Sequence, residues 1–156
     1  IDRVSIRGEV AGALGVVQYA DPAHRYVVTQ AQLRDSICML FGGSEAEALL
    51  LDDISIGASE DLVRASAIAK ALVQEYGMGD ERTGLRVFRI GREELPIGDS
   101  MMGAIDENVH NILLHEEHRA RVLLREHRAE LEALRDLLIE RKVLDRESLE
   151  SIRSKG

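Results

Sequence analysis

The stretch SIGASEDLVRAS, residues 55–66, sets a glycine, a serine and two adjacent carboxylates where a loop turns into a helix. Glu60 and Asp61 fall in the first turn of that helix, where the helix dipole stabilises a carboxylate by roughly 0.3–1 kcal/mol. Capping alone accounts for both residues. The other chemistry open to either is to hold a metal ion through a carboxylate oxygen.

Histidines are the next candidates. The sequence sign of a zinc hydrolase is H-E-x-x-H, which puts two ligands on one helical face with a glutamate between them as general base. This chain has HEEH at 115–118 instead, and Glu107-x-x-His110 two turns earlier. His115 and His118 lie three apart and can share a face, but a carboxylate-bridged bundle needs matching ligands from partner helices. No second E-x-x-H set is present, so solvated histidines on a charged face are the simpler reading. His24 and His127 read as ordinary surface residues. There is no G-x-S-x-G, the glycines at 8, 12 and 15 form neither a P-loop nor a dinucleotide fingerprint, and Cys38 sits among apolar neighbours in CMLF. Nucleophilic-serine and nucleotide chemistry therefore have no support here.

The elements that must position these residues are mostly helical. The 156 residues suffice for one domain, or for one domain with a helical appendage. Hydrophobic residues make up 45% and aromatics only 3%, with no tryptophan, which suits a helix-rich domain better than a sandwich or barrel. A net charge of −8, with no Lys/Arg run longer than two, argues against nucleic acid or an anionic membrane surface as main partner. The single cysteine excludes an internal disulfide and suits a reducing compartment. No stretch approaches the ~18 apolar residues that span a bilayer. The chain opens on Ile1 with strand-like residues, which is expected of a segment of something longer.

Residues 1–20 are the β-like part, with VSI at 4–6 and LGVVQY at 14–19 expected as a strand pair. Core helices are expected over 29–78. Thr29 and Gln32 form a T-x-x-Q capping box, followed by Leu33, Ile37, Leu40 and Phe41 at helical spacing. Gly42 and Gly43 either end that helix or mark a place where another backbone comes close. A second helix is expected from Ser59 to Tyr76, with Leu62, Ala65, Ala69, Leu72, Val73 and Tyr76 inward and Gly77 just past its end. Residues 79–99 read as a long loop, with a short strand in LRVFRI. A C-terminal helical part covers 100–156, with EHRAE either a turn or continuous helix and Asp145 capping the last helix.

The order of motifs carries a resemblance. GGSEAEALLL at 42–51, SIGASEDLVRAS at 55–66 and AKALVQEYGMGDERTGL at 69–85 resemble the peptidase domain of the FtsH family, the membrane-anchored ATP-dependent zinc metalloproteases. In that family the segments look like GGRAAEELIFG, STGASNDLERAT and ARAMVTEWGMSEKLGPL. IDRVSIRG and ALGVVQY resemble the family's strand pair, and IDENVHNILLHEEHRARVLL its C-terminal helices, so the likeness covers nearly the whole chain. It implies a single, mainly α peptidase domain over 1–156 with a small N-terminal β element. It further implies that Asp61 is the third zinc ligand and Glu47 a residue orienting the metal ligands. The strand Gly12, Ala13, Leu14, Gly15, Val16 and Val17 would be the edge along which an unfolded substrate pairs. The two histidine ligands and the general-base glutamate would come from an H-E-x-x-H helix some 15–20 residues before IDRVSI. Zn²⁺, ATP used by an ATPase domain outside this chain, a homo-hexamer and unfolded polypeptide substrates are implied in the same way. So is a place on the cytoplasmic side of a bacterial inner membrane, or its organelle equivalent, reached through segments outside these residues. Glu60 where the family usually has Asn, Ile56 where it often has Thr, and GGSEAEA in place of GGRAAEE mark a divergent member. A non-catalytic oligomerisation or interaction module is the alternative.

Overall fold

The computed structural model describes residues 3–6, 16–18 and 27–153. The chain divides into two compact units, Val27–Arg125 and the pair of segments Ile1–Tyr26 with Glu126–Gly156. The expected mainly α architecture with a small β element is what the chain adopts.

In the second of these units, strands β1 (Arg3–Ser5) and β2 (Val16–Gln18) form the expected antiparallel pair, with Val4 opposite Val17. A strand that the sequence did not announce, β5 (Val143–Asp145), pairs antiparallel on the other side of β1, so the order is β2-β1-β5. Ile6 N–H extends the pairing by donating to the Lys142 carbonyl at 3.0 Å. Leu144 of β5 is fully buried. Helix α4 (Arg128–Arg141) ends at Lys142 in the left-handed region (φ 65°), and α5 (Arg146–Arg153) begins after Asp145, whose Oδ1 accepts Ser148 N–H at 3.0 Å. EHRAE is thus a break, with His127 between α3 and α4.

The unit Val27–Arg125 holds the main core. Helix α1 (Gln30–Leu51) opens on the expected capping box: Gln32 N–H donates to Thr29 Oγ1 and the Gln32 side chain accepts Thr29 N–H. It runs unbroken through Gly42 and Gly43, and a Cβ added at either would meet nothing within 4 Å. The close-approach reading of those glycines therefore has no counterpart among the described residues. A 3₁₀ turn (Ile56–Ala58) leads into α2 (Ser59–Gln74), which packs on α1 through Ala65, Ala69, Leu72 and Val73, all fully buried. Two alanines at i and i+4 let the helix axes come close, while burying Leu72 contributes about 1.5–3 kcal/mol.

Two expectations for α2 fail. Leu62 is 44% exposed and Tyr76 52%. Tyr76 lies beyond the last helical turn, so helical spacing no longer aims it. Leu62 stands at the edge of the stripe, lining an open groove with Val63, Ser66, Ala67, Lys70 and Arg89. Gly77, at φ 61°, does take the left-handed conformation expected past the helix end. LRVFRI supplies only Arg89–Ile90 as β3, paired to β4 (Glu93–Glu94) in a two-residue hairpin. Helix α3 (Asp99–Glu126) adds Ile105, Val109, Ile112 and Ala120 to the core with Ile37, Cys38, Phe41 and Phe88.

Candidate functional site

Asp61 occupies the third position of α2. Ala58 at the N-cap has no side-chain oxygen to offer, and no side chain caps this helix end. The Asp61 carboxylate makes no hydrogen bond or ion pair among the described residues, so the capping explanation is reduced to the dipole alone. The two neighbours differ in exposure: Glu60 is exposed, whereas Asp61 is half-buried. With Ala65 four residues on and Leu72 eleven on, Asp61 stands at the N-terminal end of the face that packs on α1.

The segment that delivers Asp61 is held by α1. Glu47, half-buried about one turn before the end of α1, commits both carboxylate oxygens to one residue of the loop. Its Oε2 accepts Ser55 N–H at 2.7 Å and its Oε1 accepts the Ser55 hydroxyl at 3.0 Å. Ser55 Oγ in turn accepts Gly57 N–H at 3.1 Å, capping the 3₁₀ turn that runs into α2. Asp53 Oδ1 accepts Ile54 N–H at 2.8 Å, and Ser59 N–H closes on the Ile56 carbonyl. Glu47 therefore touches the loop before Asp61.

Among the described residues, no three His, Cys, Asp or Glu side chains converge on a point that could hold a metal. Asp61 fits a zinc ion as a single oxygen ligand, being half-buried and unpartnered at a helix start; further ligands would have to come from other residues. Of the strand Gly12–Val17, only Val16 and Val17 lie within the described residues, both in β2, with Val17 44% exposed. Gly12, Ala13, Leu14 and Gly15 lie outside them.

The histidine string behaves differently from a ligand set. His110, His115 and His118 are exposed, and His115 Nδ1 faces Glu116 Oε1 at 3.0 Å. Glu116 is fully buried and takes Arg34 Nη1 of α1 at 3.3 Å and Arg119 Nη1 at 2.7 Å. Arg119 also pairs with Asp35, which with Glu116 keeps its guanidinium protonated. Burial pushes the Cys38 thiol up, against the opposing pull of Arg119, so this cysteine is a protonated core residue. A second link runs the other way: Glu45 of α1, buried, accepts Arg121 Nε and Nη2 of α3 at 2.8 and 3.2 Å. The sequence carried a sign of both acids. Glu116 falls on the stripe Ile105, Val109, Ile112, Ala120, and Glu45 follows Ile37, Cys38 and Phe41 at the same spacing.

Below α2, Asp80 Oδ1 accepts the Thr83 and Arg82 N–H groups and the Thr83 hydroxyl, each at 3.0 Å, and Asn108 Nδ2 of α3 donates to Thr83 Oγ1 at 3.0 Å. Chiefly the Thr83 backbone N–H holds the Asp80 carboxyl below the usual carboxylate range. Thr83 is fully buried, and a Cβ on Gly79 would come within 2.1 Å of its hydroxyl oxygen.

A helical unit with an acid that lacks a partner among the described residues, at a braced helix start, defines the class only loosely; the relatives of this chain define it further. The sequence model of peptidase family M41 matches residues 1–152. The ATP-dependent zinc metalloprotease FtsH of Rhodothermus marinus is 38% identical over 149 residues, covering 91% of this chain and 21% of that protein. FtsH of Ralstonia pickettii is 32% identical over 162 residues, covering 96% and 22%. The ATP-dependent zinc metalloprotease YME1L of Drosophila melanogaster is 35% identical over 146 residues, covering 90% and 20%. The chain belongs to peptidase family M41. It spans about a fifth of the length of the curated relatives it matches.

Proposed function

We propose that this chain is the peptidase domain of an ATP-dependent zinc endopeptidase and that Asp61 is one of its metal ligands. The observation that carries the reading is the half-buried Asp61 carboxylate, without a partner among the described residues at the start of α2. A carboxylate in that position is ready to accept a cation, since the helix dipole is all that the described chain offers it. Asp61 would supply one oxygen, while two histidines and a general-base glutamate would come from residues outside this chain. Zinc, when bound, acidifies a water and polarises a peptide carbonyl.

The remaining steps belong to this chain's own elements. β1 covers one edge of β2, and among the described residues nothing pairs with the other. That edge would bind an unfolded polypeptide by strand addition, which selects extended backbone and leaves side-chain choice loose. The substrate class is unfolded polypeptide, delivered by an ATPase on the same complete chain, in a homo-hexamer. Among the described residues no helix is long and apolar enough to cross a membrane; attachment, on the cytoplasmic side of an inner membrane or its organelle equivalent, would use other segments.

The test is degradation of an unfolded protein such as casein by the complete protein. Hydrolysis should require ATP, stop on chelation, return with Zn²⁺, and be lost in Asp61→Asn while ATP hydrolysis continues. Degradation by Asp61→Asn at the unsubstituted rate would refute the assignment.

A further inference from the structure

We propose that Ser55 is a positioning residue for the metal site, setting the direction of the Asp61 carboxylate through the link Glu47–Ser55–Gly57. The inference rests on the reading of Asp61 as a zinc ligand, and it goes beyond that reading by assigning a task to a residue that touches no metal.

Asp61 can serve a metal only if the start of α2 is fixed to within a fraction of an ångström, and nothing in its own first turn does that. The N-cap is Ala58, which makes no side-chain bond to the helix. Helix starts without a cap fray. The bracing lies one turn earlier. Ser55 uses its three hydrogen-bonding groups in one direction of support: its N–H and its hydroxyl both donate to Glu47, at 2.7 and 3.0 Å, and its oxygen accepts Gly57 N–H at 3.1 Å. Glu47 stands within α1, the helix on which α2 packs, so the loop is tied to the same body that receives the helix.

The chemistry of the link is that of an anion held by two donors of a single residue, which fixes both distance and orientation. Both Glu47 oxygens face Ser55, so Glu47 acts through the loop. Outer residues that orient a ligand change metal affinity by about 10–100-fold when replaced. The pattern distinguishes Ser55 from a mere loop residue: an alanine there keeps the backbone bond to Glu47 and removes both the second bond to Glu47 and the cap on Gly57. Threonine keeps all three, and the extended backbone at Ser55 (φ −104°, ψ 167°) suits a β-branched residue.

The experiment uses the complete protein in four forms: unsubstituted, Ser55→Ala, Ser55→Thr and Asp61→Asn. Zinc affinity is read by competition with a chelator of known strength, at a temperature where melting curves show each form folded. Ser55→Ala is expected to bind zinc about 10–100-fold more weakly, with Ser55→Thr restored to within about threefold and hydrogen exchange at the Gly57 amide faster in the alanine form alone. If Ser55→Ala lowers the melting temperature but binds zinc with unchanged affinity while Asp61→Asn loses it, Ser55 is structural only and the inference falls with Asp61's role intact. If Asp61→Asn also keeps its zinc, the reading beneath fails and takes the inference with it.

Discussion

Arg34 on α1 and Glu116 on α3 meet at 3.3 Å, with the glutamate completely out of solvent. The acid inside the histidine string thus faces the core, where two arginines hold it, and the string serves helix packing. Arg121 and Glu45 repeat the link with the signs exchanged between the helices. A buried carboxylate left short of a partner costs about 1–3 kcal/mol.

Arg119→Ala removes one oxygen's partner and leaves Arg34 and His115 on the other. It should destabilise the chain by about 1–3 kcal/mol, read from chemical denaturation at pH 7. Zinc-site properties should not change, since Asp61 shares no bond with this network.

The glycines of α1 and the glycine below α2 should respond in opposite directions. Gly42→Ala and Gly43→Ala enter open space inside a helix and should each stabilise the isolated chain by roughly 0.5–1 kcal/mol. Gly79→Ala drives a Cβ onto the buried Thr83 hydroxyl and should cost about 1–3 kcal/mol. Thermal unfolding of the three variants decides it; a stabilised Gly79→Ala would contradict the packing described.

Acid should find the Asp80 turn. Its folded carboxyl titrates below the ordinary value of about 3.9, so its contribution is complete above that pH and disappears as pH falls through the lower, folded value. Asp145, held down chiefly by the Ser148 N–H, adds a contribution of the same sign. Asp80→Asn should melt below the unsubstituted chain at pH 7, and the gap should close progressively as pH falls below about 4. A gap that stayed constant over that range would show that the carboxylate's charge is not what the turn uses.

Much of this was legible in sequence because it is local. Thr29 and Gln32 are three residues apart and form the capping box they spell; Gly77 and Asp145 likewise end and begin helices as read. β5 was not legible, because VLD becomes a strand only by pairing with β1 at the far end of the chain. Glu116 is masked in the sequence by its histidine neighbours, although its place on an apolar stripe is the better clue. At the candidate site, spacing alone left Glu60 and Asp61 equal. Burial separates them, and the partner of Glu47 proves to be a loop serine eight residues on, a link no periodicity announces.

The most direct test of the central claim is the zinc content of the complete protein, measured by atomic spectrometry after gel filtration, with and without Asp61→Asn. Close to one zinc per protomer in the unsubstituted protein, falling to a small fraction in a variant that still hydrolyses ATP, is the predicted result. Equal zinc in both would contradict it.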